Sequence, residues 1–293
     1  MLFLLPRAHL RLTGSDRVRY LNGQITQNIL FLSTDRSLPA CITDAKGRLQ
    51  AELWVAASPD ALLIDTASEL SEFLLARLDK YLISDDAVVQ PDPDTVLLHS
   101  LVDPETLPLL APFVRRSAAR LGIPGWDIRL NRSLWAHLEA PLAPLLESGE
   151  TWESLRVFHG IPVWGKELDS RVLPPEAGLD LTHIDYHKGC YIGQEVLSRI
   201  KSVGRVNRKL IPWRLGSFLL PPAGSPFYLS NPQTTPGAQE VGSLTSSSMT
   251  PEGPRALGYL KHGISAPVFF LASGEEIFPL SLETTFPSKA PFS

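Results

Sequence analysis

Helical and strand periodicities alternate as far as Gly204, and beyond it the helical spacing disappears. That break obliges the chain to fold as an α+β body followed by an all-β module. In the first part, Ser15 or Asp16 can cap a helix carrying Val18, Leu21, Ile25 and Ile29 at helical spacing. Residues 40–57 read as a hairpin turning at Asp44-Ala45-Lys46-Gly47, followed by a strand over 61–65. A helix over 68–82 buries a stripe of Leu70, Phe73, Leu74, Leu78, Tyr81 and Leu82. A strand within 85–100, a helix over 104–121, a strand over 126–130, proline-interrupted helix to Glu147, and a helix over 151–159 capped by Thr151 follow. After Gly204, short apolar runs at 206–213, 241–246, 257–261 and 268–271 are separated by Pro, Gly and Ser, the pattern of a small barrel-like domain.

A chain of 293 residues exceeds a typical single domain. We therefore divide it into an α+β region over 1–203, containing a second sub-domain at roughly 50–150, and a β domain over 204–293. With 44% hydrophobic and 20% charged residues it has a globular composition, and no apolar run approaches the ~20 residues that span a bilayer. The Leu2–Leu5 run ends at Pro6 and Arg7, too short for a signal-peptide core. Two cysteines, Cys41 and Cys190, give no disulfide framework, and a cytoplasmic protein is expected, with no membrane partner. A net charge of −4 opposes broad binding to polyanions but permits a local basic patch. Arg199, Lys201, Arg205, Arg208 and Lys209 form one in sequence. It reads either as a solvated face or as a site for an anionic tail, a phosphate or tRNA.

The densest motif is Lys188-Gly189-Cys190-Tyr191-Ile192-Gly193-Gln194-Glu195, a lone thiol between glycines and beside a lysine where a loop becomes helical. A cation and a helix N-terminus bias a thiol toward thiolate, so Cys190 reads as a functional thiol or as a small buried hydrophobe. The glycines allow close backbone approach. His183, His187 and Cys190 have ligand-like spacing, but a structural zinc needs four ligands and no second cluster follows, so no resident metal is expected. Asn22, Gln24 and Thr26 could meet a polar ligand edge or simply cap and face solvent. Lys46-Gly47-Arg48 is a charged turn shaped for a carboxylate. Of the six tryptophans, Trp54, Trp135 and Trp164 are the ones to watch for stacking.

These segments, in order, resemble the YgfZ family of folate-binding proteins related to the glycine cleavage T-protein. Gly14 to Ile29 is similar to the family's G-x-D-R…L-N-G-Q-x-T opening, 44–48 to its D-x-K-G-R turn, and Leu155-Arg156 with Gly160-Ile161-Pro162 and Gly165 to its L-R…G-x-P…G segment. Pro175-Glu176 leads into the 188–195 signature, continued by Arg199, Gly204 and Arg208, and 241–246 with 256–259 resembles the C-terminal module. The resemblance implies a three-lobed T-protein-like α+β fold ending in a small β-barrel around a tetrahydrofolate-type site. It implies an accessory role in assembling or repairing iron–sulfur proteins, including tRNA-modifying enzymes. Iron–sulfur client or assembly proteins would be its partners.

By this resemblance Cys190 is the functional thiol, with Lys188 biasing it. Asn22, Gln24, Asp44, Lys46, Arg48, Arg156, Glu176, Tyr191, Gln194, Glu195, Arg199 and Arg205 are its candidate ligand-binding residues. Phe158 stands where T-proteins carry a pterin-contacting glutamate. Phe can only stack or pack, so Asp44 or Glu176 becomes the substitute acid. The stretch matching the T-protein catalytic segment is Asp65-Thr66-Ala67-Ser68, with Glu72 nearest the acid position. A folate-dependent aminomethyl or methyl transferase is the enzymatic alternative, and a tRNA-binding module is another.

Overall fold

The computed structural model describes residues 1–216, 218, 220–266, 268–274 and 276–282. The chain runs β1 (Leu2–Leu5), β2 (Arg7–Thr13), α1 (Arg17–Gln24), β3 (Ser37–Thr43), β4 (Leu49–Ala57), β5 (Leu62–Ala67), α2 (Ser71–Asp79), β6 (Val88–Pro91), β7 (Thr95–Ser100), β8 (Arg115–Ser117), β9 (Trp126–Asn131), α3 (Arg132–Leu142), α4 (Gly149–Phe158) and α5 (Gln194–Val203). The C-terminal strands are β10 (Arg208–Leu215), β11 (Pro226–Tyr228), β12 (Glu240–Thr250), β13 (Gly253–Lys261), β14 (Phe269–Ser273) and β15 (Glu276–Leu282). They close a barrel in the order β10-β13-β12-β11-β14-β15, packed around Trp213, Phe227 and Phe269. Closure leaves no unpaired edge.

Two sheets make the body. The first has the order β3-β4-β5-β2-β6, the second β1-β7-β9-β8. Adjacent strands β1 and β2 therefore join different sheets, which interleaves the two lobes, and residues 49–91 belong to the first sheet. Strand side chains alternate between faces. On the first sheet Leu10, Leu12, Leu53, Val55 and Ile64 face Leu21 of α1 and Leu74 and Leu78 of α2. The opposite face carries Arg7, His9, Glu52, Trp54 and Asp65, with Trp54 and His9 both register partners of Asp65. On the second sheet Val96, Leu98, Ile128 and Leu130 pack on Trp135 and Leu142 of α3. Its other face carries Phe3, Leu5 and Leu97 against Leu155 and Trp152 of α4.

Charged groups join the two sheets. Arg120 donates to Asp65 of the first sheet at 3.0 and 2.7 Å and to Asp127 of the second at 2.8 and 2.7 Å. Asp65 also receives Arg7 at 2.8 Å and Arg129 at 2.6 Å, and Asp127 pairs with His99 Nδ1 at 2.9 Å. Both carboxylates are fully buried. Burial pushes their pKa values up, but the guanidiniums, Arg120 first, outweigh it and hold both well below the usual carboxylate range.

The barrel docks through a second buried node. Arg156 of α4 spends all five donors on Glu153, Ile161 O, Glu167 and Ser246 of β12, the last at 2.6 Å. Tyr259 donates to Glu167 O at 2.9 Å, and Arg208 reaches Glu176 at 3.2 Å. Phe158 lies under the Arg255 guanidinium, 4.5 Å from its ring centre, so it packs against the barrel.

Several elements depart from the sequence expectations. Residues 104–121 form no long helix: one 3-10 turn at Pro104–Thr106 leads through turns to β8. Prolines at 104, 108 and 112 each remove a helix donor and clash with the preceding turn. Helix α1 stops at Gln24, and Ile25 and Ile29 are buried from beyond its end. The cap of α4 is Ser148, whose hydroxyl accepts from Thr151 N, rather than Thr151.

Replacing the inter-sheet guanidinium should have a large, pH-signed effect. Arg120→Met leaves Asp65 and Asp127 buried with fewer partners, and a loss of about 3–5 kcal/mol in urea unfolding is expected. Carboxylates with depressed pKa values stabilise the fold above the unfolded value of about 4, and that contribution is lost as pH falls through the folded values. The variant raises those folded values, so its acid unfolding midpoint should move to higher pH. An unchanged midpoint would contradict this account.

Candidate functional site

The polar faces of the two sheets do not close completely. Between them lie two cavities that share Glu52, Trp54, Arg120, Ile161 and Pro162 as a common wall. One, with about 570 Å³ of open space, extends toward Pro39, Leu179, Thr182 and His183. The other, with about 1140 Å³, extends toward Arg7, Glu69, Trp152, Arg156 and Trp164. Extended alternation places Glu52 and Trp54 two residues apart on β4, on the same side of the sheet. Arg120 lies 4.6 Å over the Trp54 ring, and His183 meets its edge at 6.4 Å. Glu52 Oε2 accepts from Arg7 Nη2 at 3.0 Å, while Oε1 has no partner among the described residues. This wall therefore presents one free carboxylate oxygen beside an aromatic surface, backed by fixed cations.

His9, on the same sheet face, has its pKa lowered to about 4, burial being the main cause. Its neutral ring has no partner for Nδ1 among the described residues.

The signature segment builds a separate, neighbouring structure. Lys188 is buried and its ammonium donates to the carbonyls of Asn22, Ile25 and Gln27 at 2.5, 2.7 and 2.8 Å. Those acceptors are at the end of α1 and just past it, where helix geometry leaves carbonyls without partners. Burial lowers the Lys188 pKa to about 8. All three ammonium protons are thus spent on anchoring the loop. Gln194 Nε2 closes it on Lys188 O at 3.4 Å, and Thr43 Oγ1 donates to Ile192 O at 2.6 Å. Gly193 has φ +89°, and a Cβ there would fall 2.5 Å from Asp44 O and 2.6 Å from Thr43 Oγ1, so only glycine fits. Gly189 is different: its φ is ordinary and a Cβ there would meet nothing within 4 Å, so the close-approach role expected for it is not needed.

At the apex Cys190 is exposed, three residues before the Gly193 cap of α5. Tyr191 turns inward against Ile184 and Leu197. Its hydroxyl is buried without a partner among the described residues, and burial pushes its pKa up to about 12. Among the described residues, no group of three His, Cys, Asp or Glu side chains is arranged to hold a metal ion.

The residues singled out from the sequence fall into three places. Around the signature loop the fold gathers Asn22, Asp44, Lys46, Arg48, Lys188, Cys190, Tyr191, Gln194 and Glu195. Asn22 Oδ1 accepts from Ile29 N, and Asp44 Oδ1 accepts from the Lys46 and Arg48 amides at 2.8 Å each, closing the hairpin turn. Gln24 is apart from them, accepting from Arg77 at 3.1 Å. Arg156 and Glu176 are joined to the barrel junction, although Arg156 also lines the larger cavity. Arg199 and Arg205 stand exposed along and after α5.

Neither Asp44 nor Glu176 lines the central cavities. Glu69 and Glu153 line the larger one, and the acid in the wall common to both is Glu52, which the sequence reading does not single out. Its signal is there: Glu52 and Asp65 interrupt apolar strands at positions alternating with core residues, where a charge must be paired or in use.

No family model matches the chain. Curated relatives named tRNA-modifying protein YgfZ are similar to it: one from Yersinia pestis (strain Pestoides F) is 26% identical over 234 residues, 72% of this chain and 69% of the relative. Another, from Yersinia enterocolitica, is 28% identical over 231 residues with the same coverage. Among solved structures, the glycine cleavage system aminomethyltransferase T from Bartonella henselae superposes with a TM-score of 0.83 at 16% identity, covering 98% of this chain and 86% of that one. The architecture is thus a T-protein fold with a closed six-stranded C-terminal barrel.

Removing the Lys188 ammonium strands three carbonyl acceptors. Lys188→Met should lower stability by about 1–3 kcal/mol in urea unfolding. Limited proteolysis should then cut within 188–194, since the loop loses its attachment to α1. Retained protection of that segment would refute the anchoring role.

Proposed function

We propose, on the YgfZ-family assignment that these relatives and this fold support, that the central cavity binds a tetrahydrofolate-type ligand. Its relatives are named tRNA-modifying proteins, and this protein would serve tRNA modification by supporting the iron–sulfur enzymes that carry it out. The observation that carries the ligand reading is the shared wall of Glu52 and Trp54. A reduced pterin offers a planar ring edged with N–H donors. Glu52 Oε1 is an acceptor for such an edge, and a charge-assisted hydrogen bond there is stronger than a neutral one. Trp54, Trp152 and Trp164 supply the apolar walls that a planar ring needs. Arg7 aims the Glu52 carboxylate through a 3.0 Å ion pair, and Arg120 lies over the Trp54 ring. When bound, a reduced folate supplies a carrier for one-carbon units.

Cys190 fits the second half of this reading. Its exposure at the apex of a loop pinned by Lys188, Gln194 and Thr43 leaves the thiol accessible on a rigid support. We assign it to contact with iron–sulfur client or assembly proteins. Exposure is what the thiol offers such a partner, since the Lys188 ammonium is occupied by carbonyls. Glu52 also favours a second reading, a folate-dependent one-carbon transferase, because such chemistry needs an acid at the ligand-binding wall. Turnover of an aminomethyl or methyl donor with tetrahydrofolate separates the two.

Anaerobic calorimetric titration with tetrahydrofolate should give saturable binding. Glu52→Gln should weaken it at least about tenfold, which corresponds to about 1.4 kcal/mol. Trp54→Leu should weaken it as well, with circular dichroism confirming the fold of each variant. Equal affinity in both variants would remove the ligand from this wall. Cys190→Ser should leave that titration unchanged while lowering the activity of iron–sulfur enzymes in cells that carry it as their only copy. Undiminished activity would exclude the thiol.

A further inference from the structure

Elsewhere several arginines that reach solvent are paired, Arg11 with Asp60 at 2.6 Å, Arg19 with Asp85 at 2.7 Å, Arg171 with Asp169 at 2.5 Å, and Arg115 with Glu105, while the exposed Arg132 and Lys261 donate to the backbone carbonyls of Pro93 and Glu240. One surface gathers cations that have neither kind of partner. Lys46, Arg48, Arg199, Lys201, Arg205 and Lys209 are all exposed, and none makes an ion pair among the described residues. The fold lines them up. Gly47, between Lys46 and Arg48, abuts Val196 of α5, its added Cβ falling 3.2 Å away. Arg199 follows within one helical turn and Lys201 soon after. Arg205 comes just past the Gly204 cap, and Lys209 lies on β10. Lys201 and Lys209 line one groove between α5 and the barrel. A chain of net charge −4 thus concentrates unpaired cations in a strip that passes the signature loop.

The groove suggests what the strip receives. It holds about 820 Å³ of space open to solvent, with Ile200, Val206 and Leu210 as apolar lining and two carboxylates in its wall, Asp180 and the Arg208-paired Glu176, as acceptors for the N–H edge of a base. Tyr186, also in its wall, has a buried hydroxyl without a partner among the described residues, and its ring carries Lys201 Nζ at 5.2 Å. An apolar floor, one spare hydroxyl and cations at the rim suit an unstacked base flanked by phosphates. An acidic protein segment would use the cations but leave the floor and the hydroxyl idle.

We propose that this strip binds RNA, with phosphates along Lys46, Arg48, Arg199, Lys201, Arg205 and Lys209 and an unstacked base in the groove that Lys201 and Lys209 rim. The site is separate from the central cavity and does not rest on the folate reading. It holds bound RNA against the face that displays Cys190.

The test is fluorescence anisotropy of a labelled, unmodified tRNA transcript with the full chain at several salt concentrations. Six phosphate contacts predict a log–log salt slope of about −4 to −5. Lys201→Ala/Arg205→Ala/Lys209→Ala removes three contacts and should reduce the magnitude of the slope by about 2 to 3. The tetrahydrofolate titration of that variant should be unchanged, which separates failure of this site from failure of the cavity. No binding at about 50 mM salt, or a slope unaltered by the triple substitution, overturns the proposal. Displacement of the RNA by poly-L-glutamate at equal charge concentration also overturns it, and assigns the strip to acidic proteins.

Discussion

The guanidinium of Arg120 sits between two buried carboxylates that belong to different sheets, and the geometry of the candidate site depends on that placement. A buried carboxylate is costly unless it is fully paired. Here Asp65 and Asp127 are satisfied together only when the two sheets approach at one distance and in one register. Apolar packing between the sheets would tolerate sliding, whereas a two-sided bidentate ion pair does not. The same guanidinium lies over Trp54, so the contact that sets the sheet spacing also fixes an aromatic wall of the cavity. Structural and ligand-facing roles meet in one side chain.

A comparable economy holds at the signature loop. Lys188 reads in sequence as an activator of its neighbouring thiol, but its three protons go to carbonyls at the end of α1. The lysine converts the unsatisfied end of a short helix into the foundation of a long-range loop. Gly193 completes the arrangement by letting the 44–48 turn approach to a distance that no side chain permits. Motif residues far apart in sequence are thereby drawn together. The thiol's exposure is a consequence of how firmly everything around it is tied down.

Much of this architecture is legible in the residues. The hairpin over 40–57, the Leu70, Leu74 and Leu78 part of the 68–82 stripe and the switch to an all-β module follow from periodicity and turn chemistry, whereas Phe73 and Tyr81 of that stripe are exposed and the helix ends at Asp79. The signature segments carry the T-protein-like reading. The misses have physical causes. Apolar content in 104–121 suggests a helix, but prolines four residues apart override the stripe. Ile25 and Ile29 continue a helical spacing after the helix has ended, because burial rewards position in the core regardless of backbone conformation. Glu52, Asp65 and Arg120 lie on separate strands and loops, and no local pattern links them. Their pairing becomes visible only when the sheets are assembled.

Conversely, residues chosen for resemblance or charge separate once their contacts are known. Arg156 has every donor engaged within the barrel junction, so its charge stabilises domain docking even though it borders the larger cavity. Arg208 likewise is committed to Glu176 and to the Tyr259 ring, 4.2 Å below it. The basic residues around it in sequence are not committed, and the distinction is energetic. A paired, half-buried guanidinium must break existing bonds to meet a ligand, while an unpaired exposed cation gives up only solvent and counterions. Sequence reports both as the same charge. The contact pattern divides one basic run into a structural tie and a surface open to a polyanion.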